Sequence, residues 1–207
     1  MNFAIDNAPV RGCTISEPLP GLPASVFSLA AGTSISAESY DYPKFFLLYA
    51  GDAEVFTNTG DSANLHTEQG YLLQRNVPTG IRTKDGCVYL EIEFRKESTM
   101  NEVLQAGEVF SLKDLIPYQD GRIVNMDLVD NDHTKFVLMS FDAGTGLSEH
   151  AAPGDALVLA LDGKAVIGYE GKDYPISAGE TFKFDKNGRH SVTADGKFKM
   201  ALLLELV

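Results

Sequence analysis

The chain has 207 residues, 44% of them hydrophobic, and a net charge of −12. That length supplies one large core or two of about 100 residues each, and the acidic balance argues against a phosphate-binding nucleic-acid face or an anionic membrane surface. No apolar run nears the roughly 20 residues of a membrane span. The start, MNFAIDNAPV, lacks the basic region and apolar core of a signal peptide, so the cytoplasm is the expected compartment.

In chain order, the first signals are turns. PLPGLP, NTGD, DNDH and EGKD punctuate short apolar runs at the spacing of a β-sandwich or barrel. Residues 31–55, AGTSISAESYDYPKFFLLYAGDAEV, lie without a gap under residues 143–167, AGTGLSEHAAPGDALVLALDGKAVI. AGT meets AGT, Ser36 meets Ser148, Leu47 meets Leu159, Gly51 meets Gly163 and Ala53 meets Ala165. Further on, Gly70 matches Gly179 and Asp85-Gly86 matches Asp195-Gly196, provided that two or three residues differ in the loop between. One unit is built twice, and with only two copies each must close its own core.

VYLEIEF then reads as a strand with Val88, Leu90, Ile92 and Phe94 inside and Tyr89, Glu91 and Glu93 outside. Thr99 with Glu102 makes a capping box, and Gly107 supplies a stop, which predicts a short helix over 98–107. The domains are therefore expected at 1–97 and 108–207. The last run, FKMALLLEL, places Phe198, Met200, Leu202, Leu204 and Leu206 on one face. Cys13 and Cys87 have no metal-ligand spacing and read as reduced core residues. His66 and His133 lie in turn-rich loops and read as solvated, while Phe182, Phe184 and Phe198 read as core.

The C-terminal copy resembles a cupin, whose first motif is G-x5-H-x-H-x3,4-E-x6-G and whose second is G-x5-P-x-G-x2-H-x3-N. Gly144, His150 and Gly163 keep the first motif's spacing, with Ala152 at the second histidine and Ala156 at the glutamate. In the second, Gly179 and His190 are in register, with Asp185, Asn187 and Ala194 at the other positions. The N-terminal copy keeps Gly32, Gly51 and Gly70, and Glu38, Tyr40, Lys44 and Ile81 stand at its ligand positions. The whole chain thus resembles a bicupin, which implies an all-β protein of two tandem jelly-roll barrels.

On that resemblance His150 and His190 face each other inside the C-terminal barrel, either as ligands to one divalent metal (Zn, Ni, Fe or Mn) or as metal-free polar anchors. A metal needs a third donor, and strand alternation points Glu149 outward unless a bulge intervenes. The small residues Ser148, Ala152, Ala156 and Ala160 favour a cavity beside His150, the usual form of a small-molecule site. In the N-terminal barrel, Glu38, Tyr40 and Lys44 read as a structural polar cluster. Three functions follow: a small-molecule-binding module around Ser148, His150, Ala152, Ala156 and His190; a cupin enzyme of dioxygenase or isomerase type; or a barrel serving assembly alone. No catalytic residue is assigned, and a homodimer is the expected oligomer if there is one.

Overall fold

The structure, a computed structural model, describes residues 1–95 and 100–206. The chain divides into two compact units, residues 2–111 and residues 112–207 with Met1. The first holds a one-turn helix, Phe3–Asp6, and strands β1 Thr14–Pro18, β2 Ala24–Leu29, β3 Ser34–Glu38, β4 Lys44–Thr57, β5 Ser62–His66, β6 Gly70–Leu72, β7 Thr79–Arg82, β8 Cys87–Glu93 and β9 Val109–Phe110. The second opens with a 3-10 turn, Leu112–Asp114. It continues with β10 Ile123–Asp130, β11 Thr134–Phe141, β12 Gly146–Ala151, β13 Asp155–Tyr169, β14 Lys172–Ser177, β15 Thr181–Phe184 and β16 Arg189–Glu205.

All pairings are antiparallel, and the two units repeat one plan. The long strand β4 pairs with β5, β6, β7 and β8, while β3 lies on β7. In the second unit β13 pairs with β14, β15 and the long β16, and β12 lies on β16. Each unit is a barrel-like β-sandwich, and helix is almost absent. No helix among the described residues is long and apolar enough to cross a membrane.

Hydrogen-bond register corrects the alignment of the two copies. Gly51 lies opposite Cys87, and Gly163 lies opposite Phe198, so the halves of the copies slip by one residue and not by two or three. A one-residue change of register moves every side chain of a strand to its other face. The expected orientation of VYLEIEF is accordingly inverted. Cys87 and Tyr89 join the barrel cluster with Phe46, Leu48, Val55, Leu65 and Ile81, and Glu91, opposite Phe46, and Glu93, opposite Lys44, share their face. Val88, Leu90, Ile92 and Phe94 are buried on the other side. With both faces apolar or buried, alternation alone does not say which one is inward.

Two further expectations change. Residues 100–107 form turns and no helix, and Thr99 of the expected capping box lies outside the described residues. Asn101 Oδ1 accepts from the Val103 amide at 3.0 Å, and the Gly107 amide donates to the Leu72 carbonyl at 2.8 Å. A helix this short must offset its nucleation cost, and here the chain bonds to a neighbouring strand instead. Val109 and Phe110 pair with Tyr71 and Gly70, so β9 belongs to the first unit. Of the two cysteines, Cys87 is buried as expected, its thiol pushed up to about 11 by burial, whereas Cys13 is exposed.

Gly163 ends the first half of β13 with φ +72, and a methyl there would run into the Lys197 carbonyl. Gly51 repeats both features against the Gly86 carbonyl. Since a left-handed residue with a side chain costs about 1–2 kcal/mol before any clash, Gly163→Ala is expected to lower stability by at least about 2 kcal/mol, read by chemical denaturation.

Candidate functional site

Strands β12 and β16 carry the two motif histidines. Leu147 pairs with Val192 and His150 pairs with His190, so one extra residue is accommodated between Leu147 and His150. That bulge re-aims the strand, and it brings the His150 and His190 ring centroids to 4.3 Å at an interplanar angle of 56°. The rings differ in depth. His190 is 4% exposed, whereas His150 is an exposed residue at the rim, so the pair meets at the open edge of the sheet and not wholly inside it.

Both Nδ1 atoms are committed. His150 Nδ1 lies 2.8 Å from the Ser148 carbonyl, and His190 Nδ1 lies 2.9 Å from the Gly188 carbonyl. Carbonyl oxygens only accept, so each Nδ1 carries the hydrogen and each neutral ring presents a bare Nε2. Phe184 stacks on His190 with centroids 4.0 Å apart and planes 16° apart. Burial, with a smaller contribution from the neighbouring His150, holds the His190 imidazole below the ordinary histidine range, against the opposing pull of the Gly188 carbonyl.

The small residues expected to frame a cavity fall in different places. Ser148 is exposed and contributes its carbonyl. Ala152, Ala156 and Ala160 belong to a core cluster with Phe141, Phe184, Phe198, Met139 and Met200. Ala156 lies directly opposite Phe184 on β15, so the ring takes volume that the missing side chain leaves. Glu149, on the bulge, pairs with Arg189. His66 closes strand β5 and does not lie in a loop; it is exposed and bonds Asp52 at 2.7 Å, while His133 is exposed in the turn between β10 and β11.

The equivalent place in the first unit carries different chemistry. The same bulge separates Ile35 from Glu38 on β3, and Glu38 pairs with Thr79. Thr79 therefore stands where His190 stands, and Ile81, which the match of Gly70 to Gly179 had put there by a two-residue error, is a core residue. Tyr40 donates to Glu38 at 2.7 Å. Lys44 pairs not with Glu38 but with Glu91 and Glu93, both at 2.9 Å, and its ammonium sits 3.6 Å from the Tyr40 ring centroid. Burial alone would push Lys44 down, but the two carboxylates outweigh it and hold it above the ordinary lysine range. Burial, then the bond to Glu38, pushes the Tyr40 hydroxyl up to about 12. Sequence reasoning missed Glu91 and Glu93; the usable signal was two glutamates on one strand face beside a lysine at a motif position.

Known proteins with this arrangement supply the family. The profile of the cupin domain matches residues 137–206. A cupin 2 conserved barrel domain protein from Leptotrichia buccalis is 28% identical, covering 99% of this chain and 95% of its own, with a TM-score of 0.85. The C-terminal unit is a cupin domain. A smaller cupin superfamily protein from Desulfitobacterium hafniense matches 53% of this chain and 99% of its own at 25% identity and a TM-score of 0.50. Salicylate 1,2-dioxygenase from Pseudoaminobacter salicylatoxidans, in adducts with gentisate, covers 98% of this chain and 76% of its own at 13% identity and a TM-score of 0.65, which shows the fold alone. Comparison with curated proteins gives no match.

Cupin barrels commonly hold a metal on histidines, and the donor set here falls short of one. Among the described residues no three His, Cys, Asp or Glu side chains lie together as a metal site. Two imidazoles fall short of the three protein ligands of a catalytic centre, and Glu149, the adjacent carboxylate, is engaged by Arg189. The residues present do not fit a protein-held metal.

His190 gives this cupin domain a pH signature. Its folded pKa is depressed, so between that value and the unfolded value of about 6.5 the unfolded chain binds the extra proton. The His190 contribution is thus complete above the unfolded pKa and is lost as pH falls through the folded one. Wild-type stability is expected to fall more steeply than that of His190→Phe over this window, as measured by denaturation at successive pH values.

Proposed function

We propose that this bicupin binds a small molecule at the mouth of its C-terminal barrel, with His150 and His190 as polar anchors. One observation carries the reading: two imidazoles from different strands meet at 4.3 Å, one buried and one at the rim. Nothing in the fold of a sheet requires such a pair. Its surroundings suit a ligand, with aromatic Phe184 beneath His190, Tyr169 opposite His190, and a few polar groups converging at the edge.

Metal-dependent catalysis is the competing function, and the neighbouring dioxygenase fold gives it a place. The short donor set argues against it, and the N-terminal barrel offers Glu38, Tyr40, Lys44 and Thr79 in place of histidines. Native mass spectrometry of the purified full chain, paired with elemental analysis for Zn, Ni, Fe and Mn, separates the two. A co-purifying organic molecule lost in His150→Ala, with no stoichiometric metal, is the expected result. Stoichiometric metal that disappears in both His150→Ala and His190→Ala would replace this reading with the enzyme.

A further inference from the structure

We infer that the ligand of this site is a neutral polyhydroxylated molecule of the sugar or cyclitol class, which donates hydrogen bonds to both histidine rings, and not a carboxylate. The inference rests on the reading of His150 and His190 as ligand anchors, and it adds which partner supplies the hydrogen.

A neutral imidazole has one donor and one acceptor. Here the backbone uses the donor of each ring, through Ser148 O for His150 and Gly188 O for His190. Two acceptors remain, on rings 4.3 Å apart. Adjacent hydroxyl groups supply two donors at neighbouring positions. An ionised carboxylate supplies only acceptors, so its lone pairs would oppose both Nε2 lone pairs unless the rings took up further protons. Burial against Phe184 opposes that protonation at His190.

The charged groups on the surrounding elements point the same way. Glu149 on β12 engages Arg189 on β16, and Glu170, after β13, accepts from the Arg189 amide at 2.6 Å. Lys183 on β15 lies 3.3 Å from Asp185 and 4.0 Å from Asp155, and the Lys186 amide is held by Asp155. The guanidinium best placed to receive a carboxylate is thus already neutralised. Tyr169, half-buried and packed against Phe184 at 5.5 Å, supplies a flat apolar face of the kind that receives the C–H side of a sugar ring.

The experiment follows the imidazole nitrogens of the 15N-labelled full chain by long-range 1H–15N correlation. The separate probes are myo-inositol, D-ribose, citrate and Zn2+. Both His150 and His190 are expected to show a protonated Nδ1 and a bare Nε2 above neutral pH. Inositol or ribose then moves both Nε2 signals and leaves His66 and His133 unchanged; citrate moves neither. Polyol affinity is expected to fall as the pH is lowered below the ordinary histidine range and His190 takes up its proton, whereas a carboxylate ligand would tighten.

A proton on either Nε2, or a site that answers to neither polyol, overturns the ligand class. So does a citrate or zinc response that vanishes in His150→Ala, which leaves the site standing and changes its chemistry. A polyol response that persists in both His150→Ala and His190→Ala overturns the site itself. Because His150 lies at the exposed rim, its alanine variant keeps the core intact and serves as the folded control.

Discussion

Lys44→Met is expected to destabilise the N-terminal unit by about 3–5 kcal/mol, the usual consequence of removing one partner from a buried ion pair. The Lys44 side chain is 3% exposed and holds Glu91, 13% exposed, and Glu93, 18% exposed. Methionine keeps most of the stem's volume, so the loss comes from two poorly hydrated carboxylates left facing each other. Glu93 retains Arg95 and a hydroxyl donor in Tyr42 at 3.3 Å. Among the described residues Glu91 keeps no such cation, and burial already holds its carboxyl above the usual range despite Lys44.

Two signs follow from the same charges. Protonating the stranded carboxylates relieves the variant, so its deficit should shrink as pH falls through the carboxylate range. For Lys44 itself the folded pKa is raised, so its contribution is complete at neutral pH and is lost only at alkaline pH. The second unit indicates how to rescue the variant. By register, Ala156, Leu202 and Leu204 stand where Lys44, Glu91 and Glu93 stand. A buried ionic cluster replaced by apolar groups of similar volume is commonly neutral or stabilising. The triple variant Lys44→Met, Glu91→Leu, Glu93→Leu should therefore recover most of the loss in guanidinium denaturation. Failure to recover would mean that the cluster sets the barrel's geometry as well as its charge balance.

The parts legible in the sequence were those governed by local spacing. Gly144, His150 and Gly163 located a strand, a partner strand and a hairpin end, and FKMALLLEL gave the correct inner face, with Phe198, Met200 and Leu204 in the core cluster and Leu202 and Leu206 packed on it. What was not legible depends on register across strands. Matching Asp85-Gly86 to Asp195-Gly196 shifted the last strand of the N-terminal copy by one residue, which turned Glu91 and Glu93 outward, and matching Gly70 to Gly179 shifted β7 by two, which put Ile81 at the position of Thr79. The bulges before Glu38 and His150 are likewise silent in the sequence, yet they decide which side chain reaches the neighbouring strand. His150 at the rim and Phe184 against Ala156 are consequences of packing that no run of residues displays.

Phe184→Ala is expected to cost about 3–5 kcal/mol, the range for removing a buried phenylalanine, and the upper part of that range applies here for a structural reason. The ring is 1% exposed, lies 5.2 Å from Phe182 and 5.5 Å from Tyr169, and faces Ala156, whose methyl group has no reach to refill the space. In the first unit the equivalent place holds Leu73, whose amide donates to the Lys44 carbonyl at 3.0 Å. Large beside small in one barrel, and medium beside long in the other, fill the same volume in two ways. If that compensation is what fixes Phe184, then Ala156→Leu should be damaging alone, through overpacking, and partly restorative in the Phe184→Ala background. The coupling energy of the double-mutant cycle reads this directly. The same substitution tests the site, because it removes the face that shields His190 from water. NMR titration should then find the His190 pKa moved back up toward the ordinary histidine value; an unchanged pKa would show that water is excluded from this ring by something other than Phe184.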